Sequence, residues 1–159
     1  MEDARFEDAG GTPLRLAAEA QEDLPVISAL LQDSVTTRAD MAWLAKRRRF
    51  TALLNRFRWE DREAAERQGR PFERVRTILS IESVLKVRSD GIDPSDKDAI
   101  LSLLSMSFTP LEDGAGTLTL VFAGDGEILL DVECLDVKLA DVTRPYVAQA
   151  KTPPRHALD

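Results

Sequence analysis

The run Phe50-Thr51-Ala52-Leu53-Leu54-Asn55-Arg56-Phe57-Arg58-Trp59, preceded by Lys46-Arg47-Arg48-Arg49 and by Met41-Ala42-Trp43-Leu44, decides how this chain reads. Apolar residues occupy both parities, with Phe50, Ala52 and Leu54 on one face and Leu53 and Phe57 on the other. That is the pattern of a strand inside a sheet and covered on both sides. Met41 to Leu44 supplies a second arm, so the pair reads as a β-hairpin. No Gly or Asn lies between the arms, which argues against a two-residue primed turn. The expectation is a four-residue loop, Ala45 to Arg48, placing Trp43 opposite Phe50.

Outward from the hairpin, strand alternation recurs. Val75, Thr77, Leu79 and Ile81 alternate with polar positions, and the run continues through Val84, Leu85 and Val87 with a bend. Further strands are expected at Ile100 to Phe108, Thr117 to Ala123 and Glu127 to Cys134, the last two joined by Gly124-Asp125-Gly126, a strong hairpin signal. Leu135, Val137 and Leu139 extend the sheet or form a helical turn. Residues 60 to 72 fit either a short helix ended by Gly69 and Pro71 or a loop. Toward the N-terminus, Leu14, Leu16 and Ala18 permit a short strand. Glu22-Asp23, Pro25 and the spacing of Leu24, Ile27, Leu30 and Leu31 then predict a helix with a core-facing stripe. The expected fold is therefore α+β and mainly antiparallel β. It is a six- to seven-stranded meander bent into a barrel or sandwich, with one N-terminal helix packed on it, and its strand count is compatible with a pleckstrin-homology-like barrel. Residues 13–148 are expected to form one globular domain, with disordered segments at 1–12 and 149–159.

The composition suits such a domain. In 159 residues, 43% are hydrophobic and the formal charge is −7. A chain of this length buries a core without staples, and one cysteine excludes a disulfide scaffold. No apolar run reaches the length of a membrane helix, and the acidic opening MEDARFEDAGG is unlike a signal peptide. A cytoplasmic protein without a membrane role is expected. The charge is unevenly placed: Arg38 to Arg76 holds 12 of the 21 basic residues and 6 of the 28 acids, leaving the segment at +6 and the remainder at −13. Because exposed charges act over about 8 Å at physiological salt, a basic surface can persist on an acidic protein.

That surface is the candidate partner-binding site, formed by Lys46, Arg47, Arg48, Arg49, Arg56 and Arg58. Arginine suits bidentate contacts to carboxylate or phosphate. Asn55, the chain's single asparagine, and Trp43 are candidate ligand contacts. Asp90, Asp93, Asp96 and Asp98 around Gly91 lack the glycine position and closing glutamate of a calcium loop and read as a turn. Cys134 shares a strand parity with Ile128, Leu130 and Val132 and is expected to be buried. The only histidine, His156, lies in the tail, so no nucleophile and base come together. Glu127, Asp131 and Glu133 read as a solvated face. No catalytic residue, metal site or cofactor is expected.

The string Leu14 to Asp33 resembles the opening strand and helix of coenzyme-A-dependent N-acetyltransferases, but the glycine-rich pyrophosphate loop those enzymes need is missing. A wider resemblance runs from the Leu24 helix through Asp40-Met41-Ala42-Trp43-Leu44, Arg49-Phe50, Asn55-Arg56-Phe57 and Trp59-Glu60. It continues through Gly91-Ile92-Asp93, Leu101-Ser102-Leu103-Leu104 and Val132-Glu133-Cys134 to the Pro-Arg-His end. As a set these residues resemble a small family of uncharacterised alphaproteobacterial proteins. The resemblance implies a bacterial cytoplasmic protein and supplies no activity. The function expected from the residues is a non-catalytic binding or adaptor module for an acidic protein or peptide. Weak RNA binding through the arginine-rich hairpin and an enzyme with an unrecognised pocket are the alternatives; oligomeric state is not legible.

Overall fold

The computed structural model describes residues 13–148, so the segments 1–12 and 149–159 read as disordered lie outside it. In chain order the elements are β1 (Arg15–Ala18), α1 (Leu24–Leu30), β2 (Ser34–Thr37), β3 (Met41–Leu44), β4 (Arg49–Phe57), α2 (Arg62–Gln68), β5 (Glu73–Ile81) and β6 (Val84–Asp90). They continue with β7 (Ile100–Pro110), β8 (Gly116–Phe122), β9 (Glu127–Val132), β10 (Val137–Asp141) and β11 (Tyr146–Val147). The strands form one antiparallel sheet in the order β1-β10-β5-β4-β2-β7-β8-β9-β6, with β3 added on β4 and β11 on β5. It is not closed into a barrel, and it has eleven strands where six or seven were expected.

The β3–β4 hairpin has the expected register, with Trp43 opposite Phe50 and residues 45–48 forming the loop. Arg48 closes that loop in the left-handed conformation at φ 52°, where a glycine would have been the obvious signal. Strand β4 then pairs with β5 from Phe50↔Ile81 to Phe57↔Arg74. Its even positions are buried, while Arg49, Thr51, Leu53 and Asn55 remain half-buried. Phe57, on that second face, is buried, so the second face is covered at the end of the strand and half-covered along the rest.

After Ile81 the ribbon turns a corner. Ser83 adopts φ 58°, Glu82 N–H donates to Asp136 C=O (3.0 Å) and Glu133 N–H to Ser83 C=O (2.9 Å). These bonds satisfy the backbone where β5 bends into β6 and β9 into β10. The bend folds the sheet over a single core, with Leu54, Leu79 and Leu139 meeting Leu103, Leu120 and Leu130. Helix α1 covers β7: Leu24, Ile27 and the following Leu31 are buried, and Met106 N–H donates to Ser28 Oγ (3.0 Å). Residues 60 to 72 contain α2, which ends at Gly69 with φ 64°. Of the Leu135 to Leu139 segment, Val137 and Leu139 lie in strand β10, and Leu135 precedes it.

Cys134 corrects an expectation. Strand β9 ends at Val132, so strand parity no longer governs the next residues. Leu135 turns inward instead, and the Cys134 thiol is exposed, 3.6 Å from Ser83 Oγ.

Candidate functional site

The hairpin tip divides the six basic candidates into three groups. Lys46 and Arg47 are exposed and have no ion pair among the described residues. Arg48 and Arg49 are held by acids from neighbouring strands, Arg48 by Glu133 and Arg49 by Glu82 at 2.8 Å. Arg56 and Arg58 do not belong to an exposed patch, which corrects their assignment. Counting by twos from Phe50 through Ala52 and Leu54 puts Arg56 on the inner face, and its side chain is 0% exposed.

Around Arg56 the fold assembles a charge network. Its guanidinium donates to both Glu60 oxygens (2.9 and 2.8 Å) and both Asp141 oxygens (3.1 and 3.0 Å). Asp141 is itself 5% exposed and accepts Leu14 N–H at 2.9 Å, so one arginine joins β4 to β10 and to the start of β1. Burial pulls the Arg56 pKa down, but the hydrogen bonds and charges of Glu60 and Asp141 outweigh it and the net shift is upward. For Glu60, burial alone would raise the pKa; the Arg56 hydrogen bonds and charge reverse this and hold it below the ordinary carboxylate range. Arg58 contacts Glu73 and lies 3.5 Å from Asp61, while Arg70 grips Asp61 through two bonds of 3.1 Å. The network is structural: every acid in it already faces a guanidinium.

Asn55 and Trp43 lie in different places. Beside Asn55, β2 and β4 share a single pair, Val35↔Asn55, and Thr36 Oγ1 donates to Leu53 C=O (2.8 Å), taking over an acceptor that a strand amide would use. The sheet opens here into a cavity of about 190 Å³ lined by Val35, Thr37, Asp40, Leu53, Asn55, Arg76 and Ile100, among others. The Asn55 carbonyl oxygens, backbone and side chain, both accept from Arg74 Nη1, at 3.2 and 3.4 Å. Arg74 is half-buried, and burial lowers its pKa. This cavity offers amide and guanidinium donors beside aliphatic walls, which suits binding, and within its lining the Thr37 hydroxyl donates to Asp40 Oδ2 at 3.1 Å. Neither Trp43 nor Arg56 lines it.

Trp43 stands on the outer strand of the hairpin, 36% exposed, next to Leu44 at 38%. Trp59 is half-buried, with its indole N–H donating to Gln32 C=O (3.0 Å) and its ring edge-on to Phe57 at 4.7 Å. In the aspartate loop, hydrogen bonds from the Ser95 hydroxyl and amide hold the Asp93 carboxyl below its usual range, as expected of a capped turn. Asp131 accepts from Thr117 and Arg88. Among the described residues, no group of three or more His, Cys, Asp or Glu side chains is placed to hold a metal ion. No helix among them is long and apolar enough to cross a membrane. His156 lies outside the described residues.

Residues 14–156 match a family model described as a protein of unknown function, DUF2948. No curated protein and no solved structure matches the chain.

Proposed function

The chain belongs to the DUF2948 family, and we propose that it is a non-catalytic binding module that recognises an acidic protein or peptide at the tip and outer strand of the β3–β4 hairpin. The observation that carries this reading is the pairing of two uncommitted cations, Lys46 and Arg47, with two exposed apolar side chains, Trp43 and Leu44, on one short strand and its turn. An apolar anchor flanked by arginine or lysine is a common interface composition. The proposal sets the protein in a reducing cytoplasm, where the exposed Cys134 thiol stays free.

A short acidic segment fits better than RNA. With Arg56 and Arg58 inside the fold and Arg48 and Arg49 paired to acids, two tip cations remain for a partner. Two cations match two carboxylates. A long polyanion would overhang onto a remainder that carries −13. The aromatic platform on which unpaired bases stack is reduced to Trp43, since Trp59 is engaged by Phe57 and Gln32.

Fluorescence anisotropy with labelled octaglutamate and labelled single-stranded oligouridine tests this at low and moderate salt. The expected result is weak octaglutamate binding that salt diminishes and that Lys46→Glu with Arg47→Glu lowers roughly tenfold, about 1.4 kcal/mol from two screened charge pairs. Tighter binding of oligouridine, or equal octaglutamate binding by both proteins, would overturn the reading.

A further inference from the structure

Strands β3 and β6 both present an unpaired edge. Strand β3 pairs with β4 alone, and β6 pairs with β9 alone. Two backbone hydrogen bonds tie the segments together at their ends: Val84 N–H to Arg48 C=O (2.9 Å), and Ala39 N–H to Lys97 C=O (3.0 Å). Between these ties, no backbone hydrogen bond joins residues 41–47 to residues 85–96 among those described. The result is a closed contour of chain around an opening in the sheet. Strand β3 runs toward the Arg48 tie and β6 runs away from it, so the strands flank the opening in opposite directions. Unpaired N–H and C=O groups on such edges are a template for another strand.

Side-chain parity gives the opening a chemistry. Directly opposed residues share a face; Met41 and Trp43 lie opposite buried Ala52 and Phe50 and so take the inner side. On β6, Val87 lies opposite buried Leu130 and packs against the core. The inner side of the opening is therefore apolar apart from Ser89, opposite buried Ile128, and includes an incompletely covered indole. On the outer side lie Lys86, Arg88 and, at the end of β6, Asp90, with Arg88 bonded to Asp131 at 2.8 Å and Lys46 and Arg47 at the hairpin tip. Lys86, like the two tip cations, has no ion pair among the described residues.

We infer that the opening between β3 and β6 receives an extended segment of a partner protein by strand addition, a segment in which acidic residues alternate with apolar ones. This rests on the acidic-partner reading and specifies its geometry. Apolar side chains of the segment point inward to Met41, Trp43 and Val87, and its carboxylates point outward to Lys46, Arg47 and Lys86. Main-chain bonds supply affinity and the alternate pockets supply selectivity. The four residues of β3 set the length of the paired stretch. The acidic charge follows from the three cations without an ion pair, Lys46, Arg47 and Lys86, toward the Arg48 end of the contour, Asp40, Asp90, Asp93 and Asp96 lying toward its Lys97 end, and the period of two follows from the pleat.

The probe is a labelled octapeptide, (Glu-Val)4, titrated into the full chain alongside octaglutamate and a (Glu-Val)4 carrying N-methyl groups on alternate residues. The prediction is that (Glu-Val)4 binds at least tenfold tighter than octaglutamate. N-methylation in either register of alternation weakens it at least tenfold, and Trp43→Ala weakens it at least fivefold with the melting transition nearly unchanged. Octaglutamate binding as tightly as (Glu-Val)4, with N-methylation harmless, would leave a basic tip and overturn strand addition. Failure of every acidic peptide would overturn the underlying reading as well. Binding of (Glu-Val)4 only after residues 1–12, the acidic MEDARFEDAGGT, have been deleted would make this chain's own N-terminus the occupant and overturn the partner assignment.

Discussion

Arg56 occupies a position that the strand pattern reserves for an apolar residue, and it is tolerated there because four carboxylate oxygens meet its guanidinium. Removing one partner of a buried pair costs more than the pair contributes, because the remaining charge stays desolvated. Asp141→Ala should therefore lower stability by about 3 kcal/mol in urea unfolding, whereas a loss under 0.5 kcal/mol would mean the network is solvated. Glu60 sets a pH limit. Its folded pKa lies below its unfolded value near 4.5, so the stabilisation is complete above that value and disappears as pH falls through the lower, folded one. Urea midpoints between pH 7 and pH 3 should fall on the acid side, and Glu60→Gln should lower the pH 7 midpoint while flattening that decline. One place along the sheet, Thr77 is fully buried opposite Asp141, and its hydroxyl lacks a hydrogen-bond partner. Thr77→Val should accordingly be neutral or stabilising by up to about 1 kcal/mol, where a satisfied hydroxyl would cost about as much to remove. The burial of Arg56 was legible in the sequence, since period two from Phe50 puts it on the inner face. Local charge density hid it, because a basic run looks like a solvated surface until its parity is counted. Cys134 failed in the opposite way: its parity was sound, but the strand that gave the parity meaning stops at Val132.

Helix α1 is the clearest case of an element whose face its residues specify. Leu24 and Ile27 lie on one stripe, both are buried, and Leu31 completes the contact just past the helix end, while Leu30, also expected in the stripe, is half-buried. Ile27→Asp would bury an unpaired carboxylate against β7 and should cost several kcal/mol, or prevent folding; a loss below about 0.5 kcal/mol would show that the helix does not pack there. The β3–β4 hairpin was equally legible in loop length and register, because cross-strand pairs of aromatic and apolar residues leave little freedom to slip. Strand β2 was not. Ser34-Val35-Thr36-Thr37 contains one aliphatic residue, and it becomes a strand through its register with Leu101 and Leu103 of β7, which no local signal carries. The cavity beside Asn55 was illegible for the same reason: it exists because β2 and β4 share one pair before diverging, and divergence is a property of the sheet.

On the scale of the whole molecule, the net charge of −7 describes the partner surface poorly. Most cations of the central basic segment are engaged within the fold; of those without an ion pair among the described residues, Lys46 and Arg47 stand at one opening in an unclosed sheet, while Arg67 lies on α2 and Arg76 lines the cavity beside Asn55. Lys46 and Arg47 were identifiable as exposed from the turn that carries them. The opening itself was not, because it depends on two distant strands failing to pair. Its position makes the account testable residue by residue. Outward-pointing amides of β3 and β6 have no sheet partner in the free protein, and an added strand would give them one. The most direct measurement is residue-resolved amide hydrogen exchange of the full chain with and without saturating (Glu-Val)4. New protection is predicted within residues 42–44 and 85–89, with little change at Val35 and Asn55 beside the cavity. Protection confined to the cavity, or binding without new protection on either edge, would contradict it.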